Sequence, residues 1–253
     1  ALLAYATLSI AALLAIMLWL QERALRRREF RPWLRALPPM ADAAFGGHVG
    51  NDGSAIAWGR GLGAALADLH GYQGHGSWIT PQGALMSWAT IMEGGIQVNA
   101  RGERFQDESQ GYSEAAVHVL HQPGSVAWEV FDEALLPLTR SFPDFVPAEA
   151  AGALKRADDV AQLAAIIGCD EATLQATLDS VDPARPDPLG RRFKRRLQAP
   201  YYVVKVTGAL FHTQGGLDID AQCRVLDANG GPFPNLLAAG GAARGVSGDA
   251  VWG

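Results

Sequence analysis

Residues 201–216 constrain the fold more than any other part of the sequence, which reads YYVVKVTGALFHTQGG there. Residues 201–211 alternate in character and are rich in residues of high β propensity, so they predict a strand. That strand runs directly into His212, Thr213 and the glycine pair Gly215–Gly216. Such a pair either forms a plain turn or lets the backbone approach a flat ligand, because glycine has no side chain to block a ring face. In the second case the histidine and the threonine would face that ligand.

The composition is that of an ordinary globular protein of 253 residues, enough for one large domain or two smaller ones. A net charge of -5 argues against nucleic-acid binding, which needs a basic surface. A small anionic substrate stays possible, because a site can be locally basic in an acidic protein. Neither Cys169 nor Cys223 has a CxxC partner, so we expect no metal site and free, buried thiols in a reducing, cytoplasmic compartment.

Residues 1–20 carry no charge and are followed by an arginine cluster at residues 26–28. An uncharged run of this length can span a bilayer, and the arginines would mark its cytoplasmic end. A buried core helix or a segment foreign to the natural protein are the alternatives. We therefore set residues 1–44 apart as an apolar and basic N-terminal segment. Because the sequence begins with Ala1 and stops within a glycine-rich stretch, we expect a fragment.

The middle of the chain predicts a mixture of helices and strands. Residues 54–69 carry apolar residues at helical spacing, with Ser54 as the N-cap. Residues 94–108 predict a β-hairpin that turns at residues 100–102 and returns Phe105 to the core. Residues 125–136 are typical of a strand followed by a helix.

Residues 158–181 predict two short helices, with Gly168 as a C-cap and Asp170 as an N-cap. Two short helices with a tight turn resemble a helix-turn-helix. The second helix carries acidic residues and no basic one, so DNA would repel it, and we interpret the pair as packing. Residues 183–200 predict a surface loop, with a basic rim to an active-site mouth as the alternative.

A series of segments carries a family resemblance when taken in order. The segments are GNDG followed by a helix and GAALADL, then QGHGS, GGIQVNARGERFQDE, AAIIGCDEATLQATLDSVD, QAPYY, HTQGGLDID and VLDANGGPFPNLLAAGG. Together they resemble the flavoprotein-subunit family of fumarate reductases and succinate dehydrogenases, with its relatives the 3-ketosteroid and tricarballylate dehydrogenases. The resemblance covers about residues 45–253.

The resemblance implies an α/β fold in which a Rossmann-like FAD-binding domain is interrupted by an α+β capping domain. Residues 45–74 and 205–253 would be pieces of the FAD domain, and residues 75–204 would be the cap. No full GxGxxG stands after a strand, so the FAD domain would be partial and would lack its main phosphate cradle.

The resemblance also implies roles for single residues. His75 and His212 match the two histidines that contact substrate, and Thr213 would join them. Gly215 and Gly216 would let the backbone approach the flavin. The remaining residues expected beside the flavin are Asp52, Gly240, Gly241, Arg244, Gly245, Ser247 and Gly248. A strand-end histidine and a plain turn are the alternatives for His75 and for the His212 motif.

The sequence departs from the fumarate reductases at their proton relay. The acidic and basic relay positions fall on Trp88 and Ile91, the arginine acid falls near Tyr112, and the arginine that clamps a carboxylate falls on Val251. Guanidinium groups are what hold dicarboxylates, so fumarate and succinate are not the expected substrates. A phenol can donate or accept a proton, so Tyr112 is our candidate acid or base, with packing in the core or at the surface as the alternative.

The resemblance therefore implies an FAD-dependent oxidoreductase that moves a hydride between the flavin and a carbon next to a carbonyl or carboxylate of a small molecule. The alternative is a membrane-anchored, non-catalytic binding protein derived from the cap, held through residues 1–20. Arg104 and Glu108 match a family motif, and a mutual salt bridge is at least as good an interpretation as catalysis.

Overall fold

The computed structural model describes residues 40–48 and 50–248. The apolar stretch at residues 1–20 lies outside the described residues. Within residues 40–48 and 50–248, no helix has the length and apolar character needed to cross a membrane.

The described residues form short helices around one main sheet. The strands are β1 (Ala44–Phe45), β2 (Leu66–Ala67), β3 (Tyr72–Ile79), β4 (Ala84–Leu85), β5 (Ile96–Val98), β6 (Val126–Asp132), β7 (Leu154–Ala157), β8 (Tyr201–Thr213), β9 (Gly216–Leu217), β10 (Arg224–Leu226) and β11 (Pro232–Leu237). The helices are α1 (Ser54–Gly61), α2 (Ala89–Met92), α3 (Tyr112–Leu120), α4 (Leu136–Arg140), α5 (Phe145–Ala150), α6 (Val160–Ile167) and α7 (Glu171–Ser180).

Strand β8 is the centre of a seven-stranded sheet with the order β4-β3-β8-β6-β5. It is 13 residues long, which leaves room for β1 to pair with it in parallel and for β7 to pair with it antiparallel. The strand predicted at residues 201–211 is therefore confirmed, and it extends to Thr213.

The two faces of β8 are buried in different clusters, because successive side chains of a strand point to opposite faces. Val203 packs with Leu163 and Leu174 of helices α6 and α7. Val204 packs with Phe131 and Phe145 on the other side of the sheet. These two clusters fix the position of β8, and so of the site residues at its C-terminal end.

The helix predicted over residues 54–69 is wrong beyond Gly61. Gly63 has a φ of 86°, a left-handed conformation that ends the helix, and β2 follows. The N-cap is Gly53, with a φ of 78°, in place of Ser54. The backbone N–H of Ser54 donates to Oδ1 of Asp52 over 2.9 Å.

The hairpin predicted over residues 94–108 is correct at its turn and wrong at its second strand. The turn is closed by the N–H of Asn99, which donates to the carbonyl of Glu103 over 2.9 Å. Strand β5 pairs with β6 and not with residues 103–107. The side chain of Arg104 instead forms buried ion pairs with Glu108 and Asp187. Phe105 does pack against the core.

The predicted caps are confirmed, since Gly168 ends α6 with a φ of 83° and Asp170 caps α7. Asp159 caps α6 in addition. Cys169 and Cys223 are free thiols, but the expectation that they are buried is wrong, because Cys169 is only partly buried and Cys223 is exposed. Residues 183–200 contain neither helix nor strand, although Arg191 of this loop is buried beside Glu108.

The mixture of helices and sheet is as expected. The predicted domain boundaries after residues 74 and 204 fall inside β3 and β8. The assignment of chain pieces to an FAD domain and a cap stays a prediction.

Candidate functional site

Two glycines bring helix α3 against strand β3. A Cβ on Gly74 would lie 2.8 Å from the Cβ of Ala116, and a Cβ on Gly76 would lie 2.7 Å from that of Ala115. The N–H of Gly74 also donates to Oγ of Ser113 over 2.8 Å. Only residues without side chains permit this approach, which places the N-terminus of α3 beside the middle of β3.

The approach brings His75 of β3 into contact with Tyr112, the first residue of α3. Their rings are stacked, with centroids 4.8 Å apart. Phe211 of β8 stacks with the same imidazole at 5.5 Å, and Trp88 meets it edge to face at 6.0 Å. We call His75, Trp88, Tyr112 and Phe211 the ring cluster.

The hydrogen bonds of His75 define its tautomer. The backbone N–H of Ser77 donates to Nδ1 of His75 over 3.1 Å, so Nδ1 is an acceptor. Burial lowers the pKa of His75 to about 4. The imidazole is therefore neutral at pH 7, and Nε2 carries its proton.

Tyr112 and Trp88 differ in their partners. The side-chain amide of Gln73 donates to Oη of Tyr112 over 2.8 Å, which leaves the hydroxyl hydrogen of the phenol directed elsewhere. Trp88 is 6% exposed, and within the described part of the chain its indole nitrogen is buried without a hydrogen-bond partner. Ile91 packs against Trp88 and Ala115 and is fully buried.

His212 lies across from Gln73 in the pairing of β8 with β3. Its side chain is exposed, and its Nδ1 lies 3.3 Å from the carbonyl of Thr213. The structure thus brings Gln73, the hydrogen-bond partner of Tyr112, next to His212 along two adjacent strands. Val251 lies outside the described residues.

The predicted flavin glycines fall into two groups. A Cβ on Gly215 would lie 2.6 Å from the carbonyl oxygen of Asp68, and one on Gly216 would lie 2.5 Å from the carbonyl carbon of Ala243. Both positions therefore require glycine for packing of the chain itself. A Cβ on Gly245 would lie 2.8 Å from Oε1 of Gln214.

Gly240, Gly241 and Gly248 are different, since a Cβ at each would have no atom within 4 Å among the described residues. Gly240 and Gly248 also have φ values of 58° and 67°, which other residues rarely adopt. An open backbone without side chains fits the face of a flat ring such as a flavin.

Arg244 is held beside this segment by two carboxylates. Its Nε lies 2.6 Å from Oδ2 of Asp68, and its Nη1 lies 3.1 Å from Oδ1 of Asp218. Asp52 is exposed and shapes the loop before α1, and the hydrogen bond from the backbone of Ser54 lowers its pKa. Ser247 is partly buried.

A buried polar network near the ring cluster was not predicted from the sequence. Ser77 donates its hydroxyl hydrogen to Oε2 of Glu129 over 2.5 Å. Gln97 donates to Oγ of Ser77 over 3.3 Å and accepts from Gln106 over 2.8 Å. Ser77, Gln97 and Glu129 lie in three different strands, β3, β5 and β6, so the sequence did not indicate that they meet.

A second buried network contains the Arg104–Glu108 salt bridge, which is confirmed. The two side chains meet at 2.6 Å, and Arg104 also reaches Asp187 at 2.7 Å. Arg191 approaches Glu108 at 3.2 Å, and the guanidinium groups of Arg104 and Arg191 each lie within 5 Å of the Phe193 ring centroid, at 4.7 and 4.8 Å. The contacts join the 183–200 loop to the sheet.

Known proteins resemble this chain in sequence and in fold. Residues 20–250 match the FAD binding domain family. A probable fumarate reductase of Shewanella frigidimarina (strain NCIMB 400) is 30% identical over 217 residues, which are 83% of this chain and 36% of that protein. A urocanate reductase of Eggerthella lenta is 27% identical over 208 residues, which are 76% of this chain and 34% of that protein. The solved open conformation of a flavocytochrome c3 fumarate reductase matches with a TM-score of 0.72 and 28% identity, over 88% of this chain and 40% of that one.

The chain belongs to the FAD binding domain family. The resemblance to the fumarate reductase flavoproteins is confirmed, and FAD is the cofactor of this family. The chain spans about a third of the length of the curated relatives that it matches.

Proposed function

We propose that the intact protein is an FAD-dependent oxidoreductase that acts on a carbon next to a carbonyl or carboxylate of a small molecule other than fumarate or succinate. The observation that carries the proposal is the contact between His75 and Tyr112, whose ring centroids lie 4.8 Å apart. The proposed FAD-domain pieces are residues 45–74 and 205–253, and residues 75–204 are the proposed cap.

FAD, when bound, supplies a donor or acceptor of hydride. Gly240, Gly241 and Gly248 would lie against its ring system, since each leaves open space where a side chain would stand. Gly216 packs on the backbone of Ala243 and so holds this segment near the end of β8.

Tyr112 is the proposed proton donor or acceptor. Reduction of a double bond conjugated with a carbonyl adds a hydride to one carbon and a proton to the other, and the reverse reaction removes both. Because Gln73 donates to Oη of Tyr112, the hydroxyl hydrogen of Tyr112 is free to leave toward substrate. Removal of one such general acid typically lowers turnover by about 10²- to 10⁴-fold.

His75, His212 and Thr213 are the proposed substrate contacts. His75 is held neutral by burial, with Nε2–H as its donor, and it can polarise a carbonyl oxygen without transferring a proton. The relay positions of the fumarate reductases are occupied here by Trp88 and Ile91, which carry no charge. The lack of a charged side chain at these two positions supports a substrate other than a dicarboxylate.

The experiment is turnover of the intact protein before and after Tyr112→Phe. Oxidation of reduced methyl viologen by a panel of α,β-unsaturated ketones and acids is followed, and released FAD is quantified by fluorescence. We expect bound FAD in both proteins and a loss of turnover of about 10²-fold or more in the variant. Tyr202→Phe is the matched control, because Tyr202 donates to Glu133 away from the ring cluster.

Unchanged turnover in Tyr112→Phe would remove Tyr112 from the reaction. A protein purified without flavin, and unable to take it up, would overturn the oxidoreductase and support a non-catalytic binding protein. We propose a cytoplasmic location, with anchoring through residues 1–20 as the alternative.

A further inference from the structure

We infer that the ring cluster recognises an uncharged carbonyl compound, and that the indole N–H of Trp88 is one of the donors that bind its oxygen. The inference rests on the proposed function, whose substrate it narrows from a carbonyl or carboxylate to a carbonyl. It gives Trp88 a role in specificity.

The ring cluster offers donors whose acceptors are missing from the described residues. Oη of Tyr112 accepts from Gln73, so the phenol still has its own hydrogen to donate. Nδ1 of His75 accepts from Ser77, so the neutral ring donates through Nε2. The described residues give neither of these two hydrogens an acceptor, and the same holds for Nε1 of Trp88.

Trp88 is the most informative of the three. Its Nε1 is buried without a hydrogen-bond partner among the described residues, and a buried donor left unpaired is destabilising. The ring lies 6.0 Å from that of His75 and packs with Tyr112 and Ala115. An acceptor brought by a ligand would satisfy this N–H.

The charges decide between a carbonyl and a carboxylate. Burial keeps His75 uncharged, and the buried guanidinium of Arg191, which donates to the carbonyl of Ile91, is paired with Glu108. Arg244, the arginine predicted beside the flavin, is paired with Asp68 and Asp218. A desolvated carboxylate without a cation is strongly disfavoured, whereas a carbonyl oxygen accepts from neutral donors at much lower cost.

The rings also indicate the body of the ligand. Phe211 stacks with His75, and the edge of Trp78 meets Phe211 with centroids 5.8 Å apart. Ring faces and edges of this kind favour flat apolar groups. A planar cyclic ketone therefore matches both the donors and the surfaces of the cluster.

The experiment is isothermal titration of the intact protein with 2-cyclohexenone and with cyclohex-1-ene-1-carboxylate, which share an unsaturated six-membered ring and differ in charge. We expect the ketone to bind more tightly. Trp88→Phe keeps an aromatic ring and removes the donor, so it should weaken ketone binding by roughly 5- to 10-fold. Trp128→Phe is the control, because Trp128 lies in β6 beneath Lys205, and it should bind the ketone as the wild type does.

Tighter or equal binding of the carboxylate would overturn the inference, and so would an unchanged dissociation constant in folded Trp88→Phe. If Trp88→Phe does not fold, Tyr112→Phe removes a second donor of the set. Unchanged ketone binding in that variant would also overturn the inference.

The amount of bound flavin distinguishes a failure of this inference from a failure of the proposed function. A protein that retains FAD and oxidises the dye, but prefers the carboxylate, contradicts the inference alone. A flavin-free protein that still prefers the ketone contradicts the oxidoreductase and leaves the recognition of a carbonyl standing.

Discussion

Ser77 donates its hydroxyl hydrogen to Oε2 of Glu129 over 2.5 Å, and both side chains are completely buried. The other carboxyl oxygen of Glu129 has no partner within residues 40–48 and 50–248. Burial raises the pKa of Glu129 to about 8. Glu129 is therefore a buried, neutral carboxylic acid, and it lies in the same sheet as His75 and Phe211.

Replacement of Glu129 by glutamine should remove a pH dependence of folding. The pKa of Glu129 in the folded protein is about 8, above the ordinary 4.5, so the folded chain binds this proton more tightly than the unfolded chain. The free energy of unfolding therefore falls as pH rises from 4.5 toward 8. Urea denaturation near pH 5 and pH 8 should show a smaller fall in Glu129→Gln. Glu93→Gln, at an exposed pair with Lys194, should keep the wild-type difference, and the same difference in Glu129→Gln would contradict the prediction.

Replacement of His75 by phenylalanine should change stability in acid. The pKa of His75 in the folded protein is about 4, below the ordinary 6.5, so its contribution to stability is complete above pH 6.5 and is lost as pH falls toward 4. Phenylalanine keeps a ring in the stack and cannot titrate. Thermal unfolding at pH 7 and pH 5 should show a smaller loss in the variant than in the wild type. An equal loss in both would mean that His75 is not buried as a neutral ring.

Replacement of Gly74 by alanine should separate α3 from β3. The new Cβ would lie 2.8 Å from that of Ala116, and overpacking of this kind costs about 1–3 kcal/mol. We expect a lower midpoint in urea and a weaker contact between Tyr112 and His75. Gly61→Ala is the control: its Cβ would meet no atom within 4 Å among the described residues, so stability should be unchanged or higher by about 0.5–1 kcal/mol. Equal stability of both variants would show that the Gly74 contact is not tight.

Replacement of Arg191 by methionine should destabilise the protein strongly. Arg191 is buried, pairs with Glu108 at 3.2 Å, and donates to the carbonyls of Gly95 and Ile91. Breaking a buried pair leaves groups without partners and typically costs about 3–5 kcal/mol. Arg101→Met changes an exposed pair with Glu103 and should cost at most about 1 kcal/mol. Similar urea midpoints for both variants would contradict the prediction.

Local signals in the sequence predicted the local structure well. The alternation at residues 201–211 gave β8, and Gly168 with Asp170 marked the ends of α6 and α7, because caps depend on neighbouring residues alone. The helix over residues 54–69 was wrong, since a left-handed Gly63 outweighed the apolar spacing. The return strand of the hairpin was wrong, because Arg104 has partners distant in sequence.

The sequence predicted individual residues of the candidate site, but it did not predict how those residues are arranged in space. His75 and Tyr112 were singled out through the family resemblance, yet their contact depends on Gly74 and Gly76 packing against α3. Trp88 was noted only as a departure from a charged relay, and its unpaired N–H depends on tertiary packing. The Glu129 network was missed for the same reason.

The length of β8 has a consequence for variation in this protein. One strand of 13 residues passes through the core at Val203 and ends at His212 and Thr213. A slip of one residue in its pairing would exchange every side chain between the two faces, so core packing and the proposed ligand contacts depend on one alignment of the strand. We therefore expect mutations in the core that disturb this alignment to change folding and ligand specificity together.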